Sequence, residues 1–222
     1  MSLKLAASFS YMPASLGHCG TKSHTTAMAG YLATGRNETE VLEGMNGLKA
    51  HYFHLRMLAL ANKREPFDTE VVEAVWTGNE LLEPWFAKKA SHVPFHLHHV
   101  LKFRSFSGRA NKTVEEQDRC RISWGRVLGH VGKAVKVKSG TLRQENGRYY
   151  LSAPEEKTWL LEYNGVRTAG KLKTGDWVCS HWEFVVKKLS PKEKQNLESY
   201  SMKTIEKVNG KLIGNGKKCR TD

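Results

Sequence analysis

No two of the four cysteines in this chain stand close enough to make a CxxC pair. Cys19, Cys120, Cys179 and Cys219 are scattered over 222 residues. A disulfide framework uses cysteine far more densely, so the sequence reads as that of a protein in a reducing cytoplasm. Long apolar runs are also missing. A membrane span needs roughly 18 consecutive apolar residues, and no stretch approaches that, which argues against a membrane partner entered by insertion. The opening MSLKLAASFSYMPASLG is broken by serine, tyrosine and proline, unlike a secretory signal. There is no GxGxxG, Walker, GxSxG or HExxH pattern, so the local signatures of dinucleotide binding, phosphate cradles, hydrolase nucleophiles and zincin proteases are absent.

Acidic residues are scarce beside basic ones, 22 against 35, for a net charge of +13 and a pI near 9.6. That balance suits an anionic partner such as nucleic acid, an acidic protein or a membrane surface. A solvated lysine surface produces the same number. Hydrophobic residues make up 40%, enough for one large domain or two small ones.

The pattern changes character near residue 113. Before it, helical spacing dominates. In TEVLEGMNGLKAHYFHLRMLALANKR the residues Val41, Met45, Leu48, Tyr52, Leu55 and Leu58 share a helical face, and Asn37 or Thr39 suits the cap. A second helix starts in PFDTEVVEAVWTGN, with Asp68 at the N-cap, Phe67 and Val72 as a hydrophobic staple and Gly78 as the stop. NELLEPWFAKKA reads as a third, short helix.

After residue 113 the chain alternates. KAVKVK puts Val135 and Val137 on one face of a strand and lysines on the other. Asn146-Gly147 and Asn164-Gly165 each favour a type I′ turn, where both central residues need positive φ. With strands at 121–128 and 176–186 this predicts a small barrel of five or six strands. Ser190-Pro191-Lys192-Glu193 forms a capping box with proline at N1. The helix it opens lines up Leu197, Ser201, Ile205 and Val208 and is expected to end at Asn209-Gly210. The expected organisation is a helical domain over 1–90, a histidine-rich then basic linker over 91–113, a barrel with its closing helix over 114–210, and a basic disordered tail over 211–222.

Two segments carry the candidate chemistry. One is CRISWGRV, beginning at Cys120. The other is LKTGDWVCSHWEF, containing His181 and followed by the SPKEKQNLESY helix. Their order, and the helix after them, resemble the HypC/HupF hydrogenase-maturation chaperones over roughly residues 119 to 208. The resemblance implies a small OB-like β-barrel with a C-terminal helix; with the helical first half, the expected fold is α+β, an N-terminal helical domain followed by that barrel and helix. It also implies that Cys120 and His181 hold an iron centre, with cyanide and carbon monoxide ligands, for delivery to a [NiFe] hydrogenase. The partners would be metallocentre-assembly factors or the hydrogenase large subunit. Two features depart from that family: Cys120 is internal rather than N-terminal, and Trp124 stands where proline is usual. The pieces LGHCG, VVEAVWTGN, PFHLHHV, CRISWGRV and GDWVCSHW also resemble an uncharacterised family found encoded beside hydrogenase genes.

The residue chemistry agrees with a metal role. Thiolate is a soft anionic donor and imidazole a common second one. Arg119 and Arg121 flank Cys120, where they favour thiolate and can hold anionic ligands. Cys179 and His181 lie at i, i+2 on one strand face, making Cys179 a further candidate. In HVPFHLHHV, His96 pairs with His99 if the segment is helical and with His98 if it is extended. His18 and Cys19 sit together in a glycine-flanked loop. Glu73, Trp76 and Asn79 offer a polar group beside the second helix. Against all of these stands the ordinary fate of a lone cysteine, which is to be buried in a core.

Three functional readings follow. The first is a metallocentre chaperone. The second is a nucleic-acid-binding OB-like module that uses Trp177, Trp182, Tyr149 and Tyr150 with the lysines. The third is an enzyme with a Cys/His site between helices and barrel. A carrier site must also reach solvent: with Cys120 and His181 on opposite walls, or both sealed in hydrocarbon with no opening to solvent, the first reading fails and an ordinary basic two-domain protein remains.

Overall fold

Two helices precede the first one the periodicity predicts. The structure, a computed structural model, describes residues 2–87, 90–102 and 113–215; the side chains of residues 49 and 211–215 are outside that description. Helix α1 (Leu3–Ser15) is made largely of small residues and is buried through Ala6, Ala7, Ser8, Phe9, Ser10 and Tyr11. It contains Pro13. Helix α2 (Lys22–Thr34) is capped by the Thr21 hydroxyl, which accepts from the His24 N–H. The predicted long helix is two, α3 (Glu38–Gly47) and α4 (Lys49–Asn62), broken at Leu48 with φ −77° and ψ 70°. Helix α5 (Thr69–Trp76) starts after Asp68 as predicted. At its end Gly78 has φ +81°, and a Cβ there would lie 2.6 Å from the Tyr200 ring, so glycine is required on both counts.

A 3₁₀ turn over Glu80–Leu82 leads into α6 (Glu83–Ala87). Part of the predicted linker is helix α7 (His96–Lys102); the basic stretch over 103–112 lies outside the described residues. Helix α8 (Val114–Cys120) opens on a capping box between Thr113 and Glu116.

The strands are β1 (Ser123–Val131), β2 (Ala134–Ser139), β3 (Leu142–Glu145), β4 (Arg148–Leu151), β5 (Glu155–Leu160), β6 (Trp177–His181) and β7 (Phe184–Leu189). Five close into a barrel in the order β1-β2-β5-β7-β6, with β5 and β7 as its parallel pair; β3 and β4 form a separate hairpin. The barrel interior is filled by Val127, Val135, Val137, Trp159, Val178 and Val185. The other faces of β6 and β7 present Cys179, Phe184 and Val186 to the helical core, which is why these strands read as continuous apolar runs.

Both Asn-Gly pairs turn as expected, with φ of 49° and 77° at 146–147 and 48° and 75° at 164–165. The predicted single strand over 176–186 is instead a hairpin. His181 pairs with Phe184, leaving Trp182 and Glu183 as a two-residue turn at φ 53° and 61°. Neither is glycine or asparagine, so the turn gave no sequence signal and carries backbone strain. Its surroundings hold it. Trp182 N–H donates to the Arg119 carbonyl at 2.8 Å, the Trp182 ring stacks on His18 at 3.8 Å, and Glu183 pairs with Arg119 at 3.0 Å.

Helix α9 (Pro191–Asn215) begins on the predicted Ser190–Glu193 box and continues past Gly210 to Asn215. The rest of the expected tail, residues 216–222 with Cys219, lies outside the described residues. Leu197, Ser201, Ile205 and Val208 are buried, and Asn209 makes two hydrogen bonds to the Tyr149 backbone. No helix among the described residues is long and apolar enough to cross a membrane.

Candidate metal centre

Three elements from distant parts of the chain meet at the seam between helices and barrel. Helix α7 brings His96 at its first residue, α8 brings Cys120 at its last, and β6 brings His181 at its last. A ring nitrogen of each histidine and Cys120 Sγ all lie within 4.8 Å of one another. Exposure is 2% at His96, 5% at Cys120 and 1% at His181. Cys120 thus ends a helix rather than opening a strand. Gln117, one turn earlier, ties α8 in place by donating to the Val100 carbonyl and accepting from the Tyr149 hydroxyl.

The tautomers follow from the backbone. His181 Nδ1 lies 2.6 Å from the Phe9 carbonyl, and His96 Nε2 lies 2.7 Å from the Cys120 carbonyl. A carbonyl only accepts, so these nitrogens carry the protons. The lone pairs therefore sit on His181 Nε2 and His96 Nδ1. Both acceptors are carbonyls that helix geometry leaves over. Phe9 is four residues before Pro13, which has no N–H to return to it. Cys120 is in the last turn of α8, where helical carbonyls lack intrahelical partners. Metal-ligating histidines commonly anchor their distal N–H on such acceptors.

The His96 ring stays neutral. Burial, then the neighbouring His181 and His51, hold His96 well below the ordinary histidine value. His96 Nδ1 is buried with no hydrogen-bond partner among the described residues, a situation that costs about 1–3 kcal/mol. Trp76 closes the site from the helical side, its ring 4.6 Å from His96 and 5.7 Å from His181 and stacked on Phe9 at 5.1 Å. Two imidazoles and one thiol suit zinc, ferrous iron or cobalt, with room in the coordination sphere for a further ligand.

Other candidates lie elsewhere. Arg121 is fully buried but turned away, donating to Asp118 at 2.8 Å and to the Gly140 carbonyl at 2.6 Å, with Trp124 beneath it. Arg119 reaches Glu183 at the surface, so neither arginine serves the thiol as expected. Cys179 Sγ is not in the converging group, and burial pushes its thiol up to about 12. His18 stacks on Trp182, and Cys19 lies half-buried against the helical core. His99 faces His54 instead of joining His96. Glu73 pairs with Lys187, while Asn79 caps the 3₁₀ turn. Trp76 was a candidate only as part of a polar group with Glu73 and Asn79, and His51 and His54 were not foreseen as site residues. Their signal was present in the three-residue spacing of the two histidines on α4.

A separate groove of about 410 Å³ runs along the barrel beside Trp124 and Trp177, with Arg126, Lys138 and Lys194 at its edges. Lys194 sits 4.8 Å above the Trp177 ring. Of the other expected stacking residues, Trp182 and Tyr149 are buried, and Tyr150 is exposed on the β3–β4 hairpin.

Fold and site together define an α+β protein with a five-stranded barrel, a helical layer and a buried Cys–His₂ cluster between them. The chain belongs to DUF6390, a family of unknown function, which matches residues 2–89 and 83–215. No curated protein and no solved structure matches it. The comparisons lend no support to the resemblance to the HypC/HupF chaperones.

Proposed function

We propose that this protein is a metal-binding protein whose centre is a transition-metal ion held by His96 Nδ1, Cys120 Sγ and His181 Nε2. The observation that carries this is the convergence of three buried donor residues within 4.8 Å, both rings having their distal N–H fixed on a backbone carbonyl. Three protein ligands leave a coordination position for an exogenous group, the arrangement of reactive rather than purely structural sites. The thiolate favours borderline and soft metals over magnesium or calcium.

The metallocentre-carrier form of this reading adds an iron centre with cyanide or carbonyl ligands and an assembly partner. The thiolate donor and the open position support it. The low exposure of all three donors weighs against rapid hand-over to a partner protein. The two forms separate in one experiment on anaerobically purified protein: metal analysis, an infrared spectrum, and the same after Cys120→Ala. Bound metal lost in the variant supports the centre, and cyanide or carbonyl bands support the carrier form. Metal content unchanged by Cys120→Ala would refute both.

The groove beside Trp124 and Trp177 favours a second reading, a single-stranded nucleic-acid contact on the barrel. It would appear as oligonucleotide binding that weakens steeply with salt, survives Cys120→Ala and is lost in Trp177→Ala. Absence of binding at low salt would dismiss it.

A further inference from the structure

Histidines continue outward from the triad. Helices α4 and α7 each carry a pair three residues apart, His51/His54 and His96/His99, which places both members on one side of their own helix. The rings meet in two rungs, His51 to His96 at 5.6 Å and His54 to His99 at 5.2 Å between centroids. Past the second rung His54 stacks on His92 at 4.9 Å, and His92 meets His98 edge-on at 5.4 Å. His92 is half-buried, and beside it stands Phe53, 54% exposed, with its ring 6.1 Å away. The two rungs are joined along each helix by the three-residue spacing, so imidazoles follow one another from the solvent-facing edge at His92 to the buried triad at His96.

Core packing alone explains such a row poorly. His54 is 1% exposed, and its Nδ1 has no hydrogen-bond partner among the described residues. Leucine or phenylalanine would fill the space without a desolvated ring nitrogen. Burial, together with His99, His92 and His51, holds His54 well below the ordinary histidine value, so this ring offers a lone pair to an approaching cation.

We propose that this row is the loading route of the triad. A hydrated divalent transition-metal ion sheds water at His92 and His54, exchanges one imidazole for the next through His99 and His51, and comes to rest on His96, Cys120 and His181. This rests on the metal reading of the triad. The direction follows from the donors. Among the described residues no other three donor atoms converge as those of the triad do, so the outer rings bind weakly. The inner end adds an anionic sulfur. Each outer step swaps neutral ligands and leaves the ion's charge unchanged. In the last step the Cys120 S–H bond breaks, the sulfur pair forms the metal–sulfur bond, and one proton leaves to solvent.

The test uses full-length apoprotein and cobalt(II), with the thiolate-to-cobalt absorption followed in a stopped-flow instrument. His54→Phe keeps an aromatic ring in place of the imidazole, and His92→Gln changes a half-buried position that tolerates substitution. Both are expected to slow loading tenfold or more, to slow removal by a chelator by the same factor, and to leave the final amplitude and affinity within about twofold. Phe53→Ala, which keeps every histidine, should load at the wild-type rate. Wild-type rates in both histidine variants would overturn the route while leaving the triad intact. A wild-type protein without the sulfur-to-cobalt band would instead remove the triad and the route together.

Discussion

The inner triad and the outer histidines are built from the same imidazole, yet they are different instruments. At the triad two rings are each pinned by a backbone carbonyl, and a thiol completes a set of atoms within 4.8 Å of one another. In the outer group His54, His92, His98 and His99 meet ring against ring, without sulfur and without that convergence. The difference is one of preorganisation. A fixed tautomer and a fixed ring direction set a ligand's strength before any metal arrives. Among the described residues the outer rings form no such three-donor set, so none of them matches the triad as a ligand cluster.

The comparison breaks most easily at sulfur. Cys120→Ala should weaken binding of zinc or cobalt by at least about a hundredfold, while Cys179→Ala, whose thiol burial keeps protonated, should leave affinity unchanged; competition against a chromogenic chelator measures both. Equal losses would erase the distinction between the two buried thiols.

The next effect is on acid stability. His54 and His96 have folded values well below 6.5, so the unfolded chain binds their protons first as pH falls. Stability of the apoprotein should therefore be full above about pH 6.5 and decline below it, by up to about 1.4 kcal/mol per pH unit for each such histidine. Urea titrations from pH 7.5 to 5 would show it. His54→Phe should remove one proton's share of the slope, and an unchanged slope would mean that His54 titrates normally.

Smaller still is the effect of Pro13. Pro13→Ala restores an N–H that competes with His181 for the Phe9 carbonyl. Metal affinity should fall about tenfold, within the range for lost support of a ligand, while the apoprotein holds or gains thermal stability because a helix-interior proline has gone. A loss of stability without loss of affinity would contradict this assignment. The smallest expected change is at the strained turn. Glu183→Gly relieves a positive φ but removes the pair with Arg119, so net stability should move by less than about 1 kcal/mol.

Much of the barrel was legible because its signals are local. Alternating valines in β2, the Asn-Gly turns and the Ser190 box each name their own geometry. The pairing of Cys120 with His181 came from the motif resemblance, whereas His96 was expected beside His99 and instead joins Cys120 and His181. The rest depends on what the chain does far away. Helix α1 is rich in small residues and holds a proline, so no helix was placed there, yet that proline exposes the carbonyl on which His181 rests. On α4, His51 and His54 are buried beside the predicted Leu55 and Leu58, and a polar imidazole gives no apolar signal of its burial. The turn at Trp182-Glu183 lacks glycine, so two strands read as one. Arg121 looked like a partner for Cys120, but a buried guanidinium needs its own carboxylate, and Asp118 supplies it.

X-ray absorption at the metal edge of the loaded protein interrogates the centre itself. One sulfur scatterer at about 2.3 Å together with two imidazole shells at about 2.0–2.1 Å, the sulfur vanishing in Cys120→Ala, is the expected spectrum. A first shell of nitrogen and oxygen alone in the wild-type protein would contradict a centre built on Cys120.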